Sequence, residues 1–252
     1  MVSGSDYKRR VYAIRDLPTL PVIAQKILTL AGDDDASIKQ LTALISSDQS
    51  LSLRILALAN SAYYGHRAKI GTVQHAVGII GTTMLKQLSL SVLVCGMIGR
   101  GGRDRAEFWR HSFGTATAAA LVAKRAGMAE GDLCFMAGLL HDVGKIIIDT
   151  HFADDAAIQH TDVGGWLAER WELPEALVKA IAYHHSMDAQ HIREPIVACV
   201  HAANLCAKAA MDDPTPAVAP EVLDALKLTP TDLFEIGREL SNRRGQIDSL
   251  LT

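Results

Sequence analysis

The sequence predicts an all-α protein built from two packed helical subdomains. Aromatic residues make up only 5% of the chain, whereas hydrophobic residues reach 49%, and alanine and leucine are plentiful, which favours close-packed helices. Apolar residues recur at helical spacing on both sides of a glycine-rich segment at residues 99–104. No convincing strand alternation is evident, and the one β-branched run, at residues 146–148, is compatible with a helix or a strand.

The N-terminal subdomain is predicted to span residues 17–98 and to follow an irregular polar lead-in. Asp48 and Thr72 belong to the residue types that cap helix N-termini. Gly81 is expected to end the short helix that Thr72 opens. The next helix, residues 83–97, is apolar nearly all round, which is typical of a buried helix.

The second subdomain is predicted to span residues 105–210, with a helical tail at residues 211–252. Its most informative stretch is the run GLLHDVGK, in which an apolar helix ends in His141 and Asp142. Ionisable side chains at the end of a buried helix need partners. Gly144 is expected to stop this helix in a left-handed conformation.

Further histidines of the second subdomain lie at positions from which they could converge on this pair. His111 lies on a long predicted helix, His160 opens another, and two adjacent histidines close a third. Imidazole and carboxylate ligands at this density suit iron, manganese or zinc, as one ion or two. The candidate metal ligands are His111, His141, Asp142, His160, His184 and His185. The remaining histidines are assigned to solvated or helix-capping positions, and they are His66, His75, His151, His191 and His201.

Composition limits the expected partners and compartment. The formal net charge is −3 without a basic block, which argues against nucleic-acid binding. The cysteines lie in apolar helical contexts without a paired metal spacing, as expected of buried reduced thiols in a cytoplasmic protein; they are Cys95, Cys134, Cys199 and Cys206. No signal peptide pattern is evident. The longest apolar stretch, about residues 88–98, is judged too short to cross a bilayer, so we expect no membrane contact.

Both halves of the chain resemble known families. The second half is similar to the HD superfamily of metal-dependent phosphohydrolases through the segments WRHS (109–112), GLLHDVGK (138–145), HTDVG (160–164), LP (173–174) and YHH (183–185). The N-terminal half resembles the HDOD domain through LPTLP (17–21), LISSD (44–48), LANSAYYG (58–65) and IGTV (70–73). The resemblance covers about residues 17–210. In the LANSAYYG segment, Asn60 and Ser61 are expected to fix a turn by capping backbone groups.

The resemblance implies a regulatory module of bacterial signalling that contacts other signalling proteins. Most HDOD domains have no demonstrated enzyme activity, whereas the related HD-GYP domain hydrolyses cyclic di-GMP with two or three metal ions. The Gly-Tyr-Pro signature of that relative is absent here, and Asn204 stands where the superfamily has its last carboxylate ligand. A neutral amide at this position weakens the case for catalysis more than the case for metal binding.

Two functional hypotheses therefore remain open. In the first, which the sequence favours, the chain is a non-catalytic scaffold that keeps an HD-type metal pocket, and no residue is assigned a catalytic role. In the second, it is a metal-dependent phosphohydrolase acting on a nucleotide or cyclic dinucleotide, with Lys145 as a possible phosphate contact. No glycine-rich phosphate loop supports the second hypothesis.

Overall fold

The described part of the chain is helical throughout, as predicted. The structure, a computed structural model, describes residues 4–15, 21–30, 35–60, 69–97, 105–211 and 218–248, and no strand occurs within these ranges. The helices are α1 (Gly4–Ala13), α2 (Val22–Thr29), α3 (Asp35–Ser46), α4 (Gln49–Ala59), α5 (Val73–Met97), α6 (Arg105–Arg125), α7 (Gly131–Leu140), α8 (Val143–His151), α9 (His160–Arg170), α10 (Glu175–Tyr183), α11 (Ala189–Ile192), α12 (Pro195–Ala210), α13 (Pro220–Leu226) and α14 (Pro230–Asp248). The β-branched run at residues 146–148, left open by the sequence, lies in α8.

The helices divide into two compact units. The small unit contains α2 to α5, and the large unit contains α1, α6 to α13 and α14 as far as Asn242. The expected boundary at residues 99–104 lies outside the described residues, so the limits 17–98, 105–210 and 211–252 stay predictions. Residues 16–20 and 61–68, which carry parts of the HDOD-like segments, also lie outside them.

Two helices of the small unit begin as the sequence predicts. Asp48 Oδ1 accepts a 3.0 Å hydrogen bond from the Leu51 N–H at the start of α4, and Thr72 Oγ1 accepts one from the His75 N–H at the start of α5. At Gly81 the backbone of α5 leaves helical geometry, with φ 79° and ψ 166°, a conformation that glycine adopts without steric cost. The predicted helix end at Gly81 is therefore confirmed.

Asn60 ties the end of α4 to the segment before α5. Its Nδ2 donates to Leu56 O at 2.7 Å and to Ile70 O at 2.8 Å, while its Oδ1 accepts from the Ile70 N–H at 2.8 Å. The side chain thus pairs both backbone groups of Ile70, which is buried and would otherwise leave them unsatisfied. The predicted capping role of Asn60 is confirmed, and Ser61 lies outside the described residues.

One helix in the described part of the chain is long and apolar enough, by length and composition, to cross a membrane. It covers Val73–Leu93 within α5, and half of its most apolar window is buried. The expectation that no apolar stretch reaches that length is therefore wrong. Because the core helix of a soluble protein passes the same test, and because Gly81 interrupts the segment, this is weak evidence for a membrane span.

The core of the large unit forms where α6 packs against α7 and α12. Helices α6 and α7 approach closely at Gly138, where a Cβ atom would stand 2.8 Å from Thr115 O. Helix α7 is buried from Cys134 to Leu140. This packing fixes the end of α7, and with it the turn that carries His141 and Asp142.

Gly144 has a different role from the one expected. It has no positive φ and lies in the first turn of α8, so the predicted left-handed helix stop is wrong. A Cβ atom at this position would overlap with His160 O and stand 2.6 Å from Gly164 N. The glycine is therefore required because the backbones of α8 and α9 touch at this point.

A helix precedes the expected start of the fold. The sequence predicts an irregular lead-in, yet α1 is present and packs on α9. Tyr7 and Val11 are buried, Tyr7 Oη donates to Asp155 Oδ1 at 2.8 Å, and Lys8 Nζ lies 2.6 Å from Glu169 Oε2. The lead-in prediction is wrong because an apolar stripe of two residues on a charged helix is too narrow to show as periodicity.

Candidate metal centre

Six side chains from four places along the chain of the large unit converge in one cluster. His111 belongs to α6, the His141–Asp142 pair forms the turn between α7 and α8, His160 is the first residue of α9, and the last two histidines follow α10. Two groups of possible ligands share Asp142, and within each group the ligand atoms lie within 4.8 Å of one another. The groups are His111, His141 and Asp142, and Asp142, His160, His184 and His185. The structure thus brings all the predicted ligand residues together.

The Asp142 carboxylate stands at the centre of this cluster. Its Oδ2 lies 3.3 Å from His141 Nε2 and 3.4 Å from His111 Nε2. Its Oδ1 lies 3.2 Å from His160 Nε2 and 3.8 Å from His184 Nε2. One carboxylate oxygen therefore faces each group of histidines, so either group would hold a divalent ion together with Asp142.

Backbone carbonyls orient the two fully buried imidazoles. His141 Nδ1 lies 2.7 Å from Gly138 O, and His184 Nδ1 lies 2.9 Å from Ile181 O. A carbonyl oxygen can only accept, so in each ring Nδ1 donates and Nε2 is left with its lone pair directed into the cluster. This is how ligating histidines are oriented in metal sites.

The protonation states also suit metal binding. Burial, together with the neighbouring histidines, holds the pKa of His184 well below its usual value and lowers the pKa of His185 to about 4. Burial alone would raise the pKa of Asp142, but the surrounding imidazoles, His141 foremost, outweigh it and hold this pKa well below its usual range. Near neutral pH His184 and His185 therefore offer neutral nitrogens and Asp142 an ionised carboxylate, the forms that bind metal.

The spacing of the ligand atoms and the burial of Asp142 are compatible with a bound cation. Asp142 is 1% exposed, and its Oδ1 accepts no well-aligned hydrogen bond within the described ranges, although His160 Nε2 lies 3.2 Å away; a bound cation would compensate this buried oxygen. Facing ligand atoms are 3.1 to 3.8 Å apart. Two ligands of a tetrahedral ion with bonds of about 2 Å are expected about 3.3 Å apart. Imidazole and carboxylate together suit iron, manganese or zinc.

A cavity of about 290 Å³ opens beside Asp142. Its lining consists of Glu107, Phe108, His111, Asp142, Lys145, Lys208 and Met211. Lys145 Nζ donates to Asp142 Oδ2 at 2.5 Å, and Lys208 reaches the cavity from α12. Two ammonium groups beside a candidate metal centre suit an anionic ligand such as a phosphate.

Helix α12 contributes residues that sequence reasoning did not assign to the site. His201 Nδ1 donates to His184 O at 2.9 Å, so its predicted capping position supports a candidate ligand. Lys208 lines the cavity. The sequence could have indicated both residues, because they lie three and four residues from Asn204 and therefore on the same helix face. Asn204, the predicted altered ligand position, is 3% exposed.

The other predicted residues lie outside the cluster. His75, His151 and His191 belong to neither group of possible ligands, and His66 lies beyond the described ranges. Cys134, Cys199 and Cys206 are free and buried, as predicted. Burial raises the pKa of Cys206 to about 12, which makes this thiol unreactive.

The helical fold and the paired histidine–aspartate cluster define the HD class of protein, and comparison with known families agrees. The HD domain model matches residues 108–225, a range that includes all six candidate ligands. The HDOD domain model matches residues 17–159, more than half of the chain. The chain therefore belongs to the HDOD family, and the predicted family and all-α fold are confirmed.

Individual relatives differ in how much of the chain they share. An uncharacterized protein of Treponema pallidum (strain Nichols) is 27% identical over 219 residues, which cover 76% of this chain and 42% of that protein. Ribonuclease Y of Aquifex aeolicus (strain VF5) is 36% identical over 115 residues, 46% of this chain and 18% of that enzyme. An HDOD domain protein of unknown function from Geobacter sulfurreducens has a TM-score of 0.81 at 26% identity, and the match covers 98% of this chain and 97% of that one. The chain thus spans less than half the length of the curated relatives it matches.

Proposed function

We propose that this chain is a signal-transduction regulatory module of bacteria whose HD-type pocket binds one or two divalent metal ions. The cluster around Asp142 carries the proposal, because oriented imidazoles there face a buried carboxylate that accepts no well-aligned hydrogen bond at Oδ1. Membership of the HDOD family supports the regulatory part. The module would act in the cytoplasm, away from membranes, through contacts with other signalling proteins.

The same pocket is poorly equipped for catalysis. A bound divalent ion would supply electrostatic stabilisation of phosphate charge. However, Asp142 is the one carboxylate in the two groups of possible ligands found among the described residues, and Asn204 offers a neutral amide. The loop after the paired histidines reads Ser-Met-Asp at residues 186–188, not Gly-Tyr-Pro. We therefore propose that turnover of cyclic dinucleotides is absent or very slow.

A metal-dependent phosphohydrolase is the second candidate, and one observation favours it. The cavity beside Asp142 carries Lys145 and Lys208, which suit the phosphate of a nucleotide ligand. The likeness to Ribonuclease Y over 46% of the chain adds RNA to the substrates worth testing. The negative net charge of the chain speaks against nucleic acid.

Metal content tests the proposed pocket. Protein purified without chelator or nickel resin should contain iron, manganese or zinc, as measured by inductively coupled plasma mass spectrometry. Protein that has been stripped of metal should bind Mn²⁺ again in a titration. A chain that holds no divalent ion in either experiment would refute the proposal.

Turnover separates the two candidates. Native protein, His141→Ala and Asn204→Asp would be incubated with Mn²⁺ or Fe²⁺ and with cyclic di-GMP, bis-p-nitrophenyl phosphate or a short single-stranded RNA. We expect no robust turnover by the native chain, and activity confined to Asn204→Asp would support a pocket that lost catalysis at this position. Robust native turnover that disappears in His141→Ala would establish the phosphohydrolase instead.

A further inference from the structure

The position of Asn204 follows from its two neighbours on one face of α12. His201, three residues earlier, donates to the backbone of His184. Lys208, four residues later, lines the cavity that contains His111 and Asp142. Because residues three and four apart share a helix face, and because each residue rises about 1.5 Å along the axis, Asn204 lies between these two points. Its side chain therefore lies on the same face of α12 as these two residues.

The Asn204 amide carries an unpaired oxygen. The residue is 3% exposed, and its Oδ1 is buried without a hydrogen-bond partner among the described residues. Asp142 Oδ1 also accepts no well-aligned hydrogen bond, with His160 Nε2 3.2 Å away. Buried oxygens are nearly always paired in native proteins, and an amide oxygen is an accepted ligand of hard cations. A cation held by the cluster would supply the partner that the Asn204 oxygen lacks.

The charge of the cluster limits how many cations it can hold. Asp142 supplies one negative charge to the possible ligands, and Lys145 is already paired with it at 2.5 Å. Glu107 also lines the cavity, but it is exposed, so its charge is screened by solvent. Two divalent ions would bring four positive charges into a buried site with little compensation. One ion fits this charge, whereas a second needs an anion from outside.

We propose that Asn204 provides a neutral oxygen ligand in the metal pocket, so that a second divalent ion binds only together with a phosphate-bearing anion. This inference rests on the proposed metal binding. The cavity lysines, Lys145 and Lys208, supply the contacts that select a phosphate rather than another anion. The pocket would thereby bind the second metal ion and the phosphate cooperatively, so that its occupancy depends on the concentrations of both.

Two substitutions and a matched control test this coupling. Asn204→Asp adds the missing carboxylate, and Asn204→Leu removes the oxygen while keeping the side chain's approximate volume. Asn242→Asp makes the first change on an exposed position of α14 and controls for added charge. Binding of Mn²⁺ to metal-free protein would be measured by calorimetry, with its stoichiometry, without and with millimolar inorganic phosphate.

We expect native protein and Asn242→Asp to bind one Mn²⁺ without phosphate and two with it. Phosphate should strengthen Mn²⁺ binding about 10-fold, and Mn²⁺ should strengthen phosphate binding by the same factor, because coupling between two ligands is reciprocal. Asn204→Asp should bind two ions without phosphate. Asn204→Leu should bind Mn²⁺ about 10-fold more weakly than native protein, as after loss of a group that contacts the metal site.

Each contrary result has a distinct meaning. Mn²⁺ binding that ignores phosphate, or two ions in native protein without phosphate, would overturn the coupling. Unchanged Mn²⁺ affinity in folded Asn204→Leu would remove the amide from the ligand set. No Mn²⁺ binding by any of the proteins, with or without phosphate, would refute the proposed function itself, and with it this inference. Circular dichroism of every variant shows whether a loss reflects unfolding.

Discussion

The two units of the molecule differ in how completely their buried polar side chains are paired. In the small unit, buried donors are paired with backbone carbonyls: Lys86 Nζ donates to Leu30 O at 3.1 Å, and Ser89 Oγ to Leu85 O at 2.6 Å. In the large unit, several buried polar atoms have no hydrogen-bond partner in the described part of the chain. These atoms are Trp109 Nε1, Ser112 Oγ, Thr115 Oγ1, Asp142 Oδ1 and Asn204 Oδ1.

This difference distinguishes polar groups that only stabilise the fold from polar groups that lack a partner unless an ion, a water or a ligand binds. A buried group that helps only to build the structure is paired within it, as in the small unit. Buried groups left unpaired beside a cluster of imidazoles are explained by an ion, an ordered water or a ligand. We therefore expect ligand binding to take place in the large unit.

The largest expected effect contrasts one glycine from each unit. Gly144→Ala should destabilise the protein by about 3 kcal/mol or more, because the new Cβ meets the backbone of α9, which cannot yield as a side chain can. Gly78→Ala, on an exposed turn of α5 with nothing within 4 Å of its Cβ, should stabilise it by up to about 1 kcal/mol. Denaturant unfolding measures both, and equal effects would show that α8 and α9 are not in contact at Gly144.

The second comparison concerns histidines. His141→Ala should weaken Mn²⁺ binding by at least about 100-fold, or about 2.7 kcal/mol, because it removes an oriented buried ligand. Consequently Mn²⁺ should raise the Tm of native protein but not that of His141→Ala. His75→Ala, in the small unit, is the matched control and should keep the native response. An intact Mn²⁺ response in His141→Ala would remove this residue from the ligand set.

A third substitution should affect stability without affecting metal. Asn60→Ala removes three hydrogen bonds and leaves both backbone groups of Ile70 unpaired, so the free energy of unfolding should fall by about 2 kcal/mol. Mn²⁺ affinity of the folded variant should equal that of native protein, since this residue belongs to the small unit. Calorimetry at a temperature where the variant is folded decides the point, and weaker Mn²⁺ binding would contradict the division of roles.

Local signals explain why so much of the candidate site could be predicted. His141 and Asp142 end an apolar run, His184 and His185 are adjacent, and His160 opens a helix, so each is visible in a short window of sequence. Their convergence could be expected only from the family resemblance. Their binding of metal stays a prediction.

The features that sequence reasoning missed depend on which faces meet. Gly144 reads locally as a helix stop, and only the position of α9 reveals it as a point of backbone contact. His201 and Lys208 gain their roles from what α12 packs against. Helix α1 is stabilised by distant partners such as Asp155, which no local periodicity can indicate.

The smallest expected effect is a pH dependence that arises in the large unit. His184 and His185 have folded-state pKa values below the unfolded value of about 6.5, so the unfolded chain binds more protons between pH 6.5 and about 4. The stability of metal-free protein should therefore be fully present above pH 6.5 and be lost progressively as the pH falls towards 4. His184, which is fully buried, should contribute more than His185, whose ring packs against His160 and His184 but whose residue remains solvent-accessible, so that solvent screens part of its effect.

Unfolding of metal-free protein by denaturant at pH 7, 6 and 5 measures this slope. His184→Gln should flatten it, because one buried imidazole no longer resists protonation, whereas His75→Ala should leave it unchanged. Asp142 does not contribute to this slope, because its depressed pKa restricts its effect on stability to a pH range below the one measured. A stability that stays constant or rises from pH 7 to pH 5 would show that these imidazoles are not held neutral by burial.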